Sequence, residues 1–185
     1  MAVNWWDDHY RQGGNSGLGS YGLLAEFKAG VLNALIDREE VETAVEFGCG
    51  DGNQLSLVRY PQYVGVDISE QAIRLCRRRF GEDPTKTFLL LDEWTGGTFD
   101  LALSLDVIYH LTKDGAYERH METLFGSAPL VAIFSTNSEE ELMPHQMRHR
   151  RFTDWTAEHV PEWEMEHVAN PYPHLSLADF YIFRA

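Results

Sequence analysis

Apolar positions along the chain switch between two periods. After Ser20, the residues Leu23, Leu24, Phe27, Val31, Leu32 and Leu35 recur at helical spacing, which predicts a helix over about 21–36 capped by Ser20. Short apolar runs at 43–47, 63–67, 87–91, 99–105 and 130–135 predict five strands. The third run is apolar throughout, as strands buried on both faces are. Helical patterns at 53–58, 69–80 and 114–124 separate these runs, and strands alternating with helices imply a parallel sheet covered on both faces. Beyond 135, a helix at 153–159 and strands at 163–168 and 178–184 bring the predicted count to seven strands in an α/β sheet.

The stretch that says most about chemistry is 43–54. The first strand stops at Gly48, Gly48, Gly50 and Gly52 alternate with Cys49 and Asp51, and an apolar helical pattern comes next. Glycines at a strand end let the backbone turn with φ > 0 and let a ligand approach without a Cβ in the way. Such turns hold nucleotide-like ligands beyond the carboxyl ends of the strands. A dinucleotide site would read GxGxxG and would face a pyrophosphate. Here the spacing is GxGxG, Asn53 comes after the last glycine, and Glu46 stands two residues before the first. A carboxylate there repels a diphosphate and suits a cation, so a nicotinamide-dependent oxidoreductase is disfavoured. Asp67, at the end of the second strand and 15 residues after Gly52, is placed to take the two hydroxyls of a ribose.

The segment Glu46-Phe47-Gly48-Cys49-Gly50-Asp51-Gly52 resembles motif I of the class I S-adenosylmethionine-dependent methyltransferases, and Val64-Gly65-Val66-Asp67-Ile68-Ser69 is similar to the second-strand end in that family. With Asp92 and the segment 99–110, four positions agree in order over about 41–135. The resemblance implies a Rossmann-like, seven-stranded mixed sheet with helices on both faces and S-adenosylmethionine as cofactor. Gly48, Gly50 and Gly52, with Glu46, Cys49 and Asn53, would admit the methionine part. Asp67 and Ile68 would lie at the ribose, Asp92, Glu93 and Trp94 at the adenine, and Asp106 along the cofactor. The loop around Ser16-Gly17-Leu18-Gly19-Ser20 is similar to short bacterial members of glycan or secondary-metabolite pathways.

The 185 residues fit one domain. Within it, 1–38 reads as an N-terminal flap and helix, 41–135 as the cofactor core, 136–160 as a substrate-side segment and 161–185 as closing strands. Fifteen basic against 29 acidic residues give a net charge of −14, a field that repels nucleic acid. No signal peptide or membrane span is recognisable and the two cysteines have no metal or redox spacing, so a cytoplasmic monomer or homodimer is expected.

Methyl transfer needs alignment and, for a hydroxyl acceptor, a base. His110, a few residues past the fourth strand, is the candidate, with Asp106 nearer the strand end; a backbone-bonded histidine and a capping aspartate are the alternatives. Trp5, Tyr10 and Tyr21 can close over a sulfonium by cation–π contact, with core packing as the alternative for Trp5 and Trp6. Tyr109 and Asn137 point to the same edge as substrate contacts. His145 and His149, spaced i, i+4, have no third metal ligand at a recognisable spacing, so no metal is expected. With Arg148 and Arg151 they form a candidate cationic rim for an anionic acceptor such as a phosphate or carboxylate, with a solvated loop as the alternative. The expected activity is methylation of a small molecule or glycan precursor, at oxygen rather than nitrogen. The competing readings are N-methylation and a non-catalytic cofactor-binding protein. The arginine run on the helix after Ser69 is assigned no function.

Overall fold

The computed structural model describes residues 2–139 and 147–185. Seven strands form one sheet: β1 (Thr43–Phe47), β2 (Gln62–Asp67), β3 (Lys86–Leu90), β4 (Leu101–Leu105), β5 (Leu130–Ser135), β6 (Glu164–Val168) and β7 (Asp179–Arg184). Their spatial order is β3-β2-β1-β4-β5-β7-β6. The first five run parallel, and β7 enters antiparallel between β5 and β6. This is the mixed seven-stranded sheet expected from the sequence. The order reverses direction at β1 and β4, so their carboxyl ends open a crevice at the centre of the sheet edge, where open α/β sheets bind ligands.

Helices α2 (Gly22–Glu39) and α3 (Glu70–Phe80) cover one face, and α4 (Asp114–Ser127) and α5 (Phe152–His159) the other. The central strands β4 and β5 are buried at every position. Leu32, Leu35, Cys76 and Phe180 pack in the first layer and Met121, Leu124, Val131 and Trp155 in the second. Ser69 caps α3 as its position predicts, its Oγ accepting from the Ala72 N–H at 3.2 Å.

Four sequence expectations are corrected. The helix expected at 53–58 is a single 3-10 turn, Leu55–Leu57, which ends at an extended Val58. Pro61 keeps Tyr60 out of the helical region, and the chain must start β2 at residue 62, so no room remains for a full helix. The run at 87–91 is an edge strand in which Phe88 is the buried side chain; its apolar composition does not reflect burial on both faces. No helix connects β3 to β4. Trp94 and Phe99 instead stack at 5.9 Å, and Trp94 meets the Phe47 ring edge-on at 5.3 Å, covering the second layer in a helix's place.

The third and fourth corrections concern the N-terminus. Residues expected as a loop forming an ordered flap begin with a helix, α1 (Ala2–Arg11). Asp7 on α1 accepts from the Ser69 hydroxyl at 2.9 Å and the Gln71 N–H at 3.0 Å, so a carboxylate sits at the positive end of α3 and holds α1 against it. Ser20 does not cap α2; Tyr21 takes the N-cap position with no side-chain bond. Among the described residues, no helix is long and apolar enough to cross a membrane.

Candidate active site

The turn after β1 is held from beneath. The Gly48 and Cys49 N–H groups both donate to the Val66 carbonyl, at 2.7 and 3.1 Å. Gly48 (φ 95°) and Gly50 (φ 57°) lie in the left-handed region. A Cβ on Gly48 would overlap Val107, and one on Gly50 would overlap Ser16. Sterics and the φ requirement together restrict both positions to glycine.

The N-terminal loop docks on this turn. Asp51 accepts from the Ser16 N–H at 2.9 Å and the Tyr21 hydroxyl at 2.8 Å, and its own N–H donates to Ser16 Oγ at 2.9 Å. Tyr10 reaches the same Ser16 Oγ at 3.0 Å. Asn53 adds a bond to the Ser20 carbonyl at 2.6 Å. The loop roofs a cavity of about 340 Å³ over the sheet edge.

Three acidic side chains belong to the cavity wall. Asp67 is buried, and its two oxygens accept the Gly50 and Ser69 N–H groups, each at 2.9 Å. Burial raises its pKa against the pull of those bonds; each oxygen keeps a further acceptor site for a hydroxyl. Glu46 is buried and accepts from the Tyr63 hydroxyl at 2.7 Å. Burial pushes its carboxyl up to about 7, reinforced by Asp67 and Asp106 and opposed by the Tyr63 bond and Lys28. Asp106 has φ 59°, rare for a residue with a side chain. Its Oδ2 accepts from Lys28 Nζ at 2.7 Å and its Oδ1 from the Tyr109 hydroxyl at 2.8 Å.

Lys28 is the one fully buried basic side chain among the described residues. Its ammonium also lies 5.1 Å from the centre of the Phe134 ring. Acidic groups thus outnumber basic ones around the cavity, an arrangement that favours a cationic ligand and disfavours a diphosphate.

The side chains proposed from the sequence divide into two sets. Glu46, Gly48, Cys49, Gly50, Asp67, Ile68 and Asp106 border the cavity, as do Trp5, Tyr10, Tyr109 and His110. His110 meets the Trp6 ring edge-on at 5.1 Å and the Tyr109 ring at 4.7 Å. The others are placed elsewhere. Tyr21 points to a separate open cleft while its hydroxyl holds Asp51; burial, then the Asp51 bond, push that hydroxyl up to about 12. Gly52 packs against Phe80 and Cys76. Asn53 is engaged by Ser20 and Arg79. Of the segment after β3, Leu91 borders the cavity, whereas Asp92, Glu93 and Trp94 do not; Glu93 accepts from the Leu90 N–H at 2.8 Å.

On the substrate side, Asn137 exchanges hydrogen bonds with Thr153 at the start of α5. His149 Nδ1 is 2.6 Å from Thr136 Oγ1, outside the cavity wall. His145 lies outside the described residues. Of the candidate cationic rim, Arg148 is engaged at α4, reaching Asp114 at 2.6 Å beside Arg150, which reaches Asp114 at 3.1 Å and the Leu111 carbonyl at 2.6 Å, while Arg151 is exposed. From 147 to 151, only Met147 borders the cavity. Among the described residues no cluster of three or more metal-ligating side chains occurs.

The sequence reading missed Ser16, Lys28, Asp51 and His120. A lysine midway between Leu24 and Leu32 on an apolar helix face, and a histidine between Tyr117 and Leu124 on another, were the available signals.

Comparison with known proteins agrees with this geometry. Residues 45–125 match the methyltransferase domain family. The mouse small RNA 2'-O-methyltransferase is 30% identical over 164 residues, 75% of this chain and 40% of the mouse protein. An Arabidopsis thaliana tRNA (carboxymethyluridine(34)-5-O)-methyltransferase is 24% identical over 127 residues, 64% of this chain and 29% of its own length. The chain therefore spans well under half the length of these curated relatives. In fold, the chain is similar to magnesium protoporphyrin IX methyltransferase from Synechocystis with bound SAH (TM-score 0.67, 15% identity, all of both chains). It is also similar to the methyltransferase domain of bacterial CtHen1-C (TM-score 0.68, 18% identity, 86% of this chain and 97% of the other).

Proposed function

We infer, for a chain that carries a class I methyltransferase domain with S-adenosylmethionine as its cofactor, that it methylates a hydroxyl group of a small molecule or glycan precursor at the flap end of the cavity. The observation that carries this reading is the meeting of two features in one enclosed space: the acid-walled glycine turn, and a histidine flanked by Trp6 and Tyr109. When bound, the cofactor supplies a methyl already activated by its sulfonium. Gly48 and Gly50 would leave room for its amino-acid part, Asp67 would accept from the ribose hydroxyls, and Glu46 and Asp106 would balance its charge.

The chain's own task is then positioning and proton removal. Holding the acceptor in line is worth about 7 kcal/mol or more of a barrier. The roof of Trp5, Tyr10 and the 16–20 loop keeps water from the reacting atoms. His110 takes the hydroxyl proton as the oxygen–methyl bond forms, histidine being the side chain most often used as a general base. Residues 1–185 act as one domain, in the cytoplasm, as a monomer or homodimer without metal.

One finding favours a second reading. The likeness to a small RNA 2'-O-methyltransferase supports an RNA hydroxyl as the acceptor, and the net charge of −14 opposes it. Incubation with methyl-labelled S-adenosylmethionine and a panel of acidic sugars, sugar phosphates, phenols and short RNAs separates the two. Label is expected in a methyl ether of a small acceptor. Label in RNA alone would overturn the small-molecule reading, and tight cofactor binding with no labelled product would point to a binding protein.

A further inference from the structure

His120 stands on α4 with its ring in the cavity wall. Its Nε2 lies 2.8 Å from Ser104 Oγ on β4, and its ring faces the edge of Phe47 at 6.3 Å. Nδ1 meets no hydrogen-bond partner among the described residues, while the ring itself borders open space. In the neutral ring such a nitrogen offers a bound ligand a hydrogen-bond acceptor.

The character of the surrounding wall says which part of a ligand belongs there. Of the carboxylates, Glu46 and Asp106 turn toward Lys28 on the α2 side and Asp67 toward the glycine turn, and the aromatic flap closes over His110. On the α4 side of the sheet, where His120 stands, the cavity is bounded instead by the apolar side chains of Phe47 and Leu111. A flat, neutral heteroaromatic group suits apolar walls with one hydrogen-bonding atom, whereas an ammonium, a carboxylate or a phosphate would be left unpaired.

We propose that His120 is a specificity-determining residue for the donor, its Nδ1 accepting a hydrogen bond from the exocyclic amino group of the adenine while Nε2–H donates to Ser104. The assignment rests on the methyltransferase reading and adds to it the group that recognises the base. The neutral ring is required, since an imidazolium has no acceptor to offer. Burial supplies that condition by pushing the imidazole down to about 4, so it stays neutral at physiological pH. Ser104 Oγ, fully buried, can accept from Nε2–H, the tautomer that leaves Nδ1 as the acceptor.

Two amide substitutions separate recognition from packing, because an asparagine amide reaches the place of Nδ1 and a glutamine amide the place of Nε2. Affinities of S-adenosylhomocysteine and its inosine counterpart, with a 6-oxo group in place of the 6-amino group, are to be measured by calorimetry for the wild type, His120→Asn and His120→Gln. The wild type is expected to prefer the adenosine compound by about tenfold, the worth of one hydrogen bond replaced by a clash of acceptors. His120→Asn should keep most of that preference, and His120→Gln should lose it. Equal preference in wild type and His120→Gln, or its loss in His120→Asn alone, would assign the ring a purely structural bond to Ser104 and overturn the proposal. A wild type that binds neither compound would overturn the methyltransferase reading together with it.

Discussion

Replacing Lys28 with methionine should lower folding stability by about 3–5 kcal/mol, the usual cost of removing one partner of a buried ion pair. The side chain is buried, its ammonium is 2.7 Å from Asp106 Oδ2, and methionine fills similar space without a charge. Asp106 would then keep only the Tyr109 hydroxyl, in a backbone conformation that is itself unfavourable at φ 59°. Denaturant unfolding of the two proteins measures the difference. The double variant Lys28→Met/Asp106→Asn should recover much of it, since neither partner is then left charged and alone. A loss below about 1 kcal/mol in the single variant would show that Asp106 is solvated well enough without the lysine.

Removing the imidazole of His110 should lower turnover about 10²- to 10⁴-fold, the range for a positioned base. Affinity for S-adenosylhomocysteine should stay within about twofold, because the proposed role concerns the acceptor's proton. Single-turnover rates and calorimetry on His110→Ala test both halves. Near-full activity would argue against a base and favour a neutral amine as acceptor, which needs little help to lose a proton. Weakened cofactor binding with unchanged turnover would make His110 part of the donor site.

Local chemistry made the sheet and its central turn legible. Short apolar runs bounded by glycine or a carboxylate state their own strand character, and GxGxG after Glu46 is a pattern that the backbone geometry requires. Competition for chain length was not legible: the pattern at 53–58 is helical, yet the distance to β2 and Pro61 allow it one turn. Side-chain partners were equally hidden. Arg148 reads as part of a rim for an anion, but Asp114, far away in sequence, takes it together with Arg150. Asn53 and Tyr21 read as cofactor contacts and instead fasten the N-terminal loop to the turn. The segment holding the glycine run at 13–19 reads as an ordered flap, but nothing in it names Asp51 as the group that fastens it.

Binding of the donor itself bears most directly on the whole account. Glu46, held up to about 7 by burial, carries a proton in the empty protein below that pH and must lose it to attract a cation, so affinity for S-adenosylmethionine should rise with pH. Calorimetry at pH 5.5 and 7.5 should give on the order of tenfold tighter binding at the higher value, no such change in Glu46→Gln, and no heat with NAD. Heat with NAD and none with S-adenosylmethionine would contradict the account.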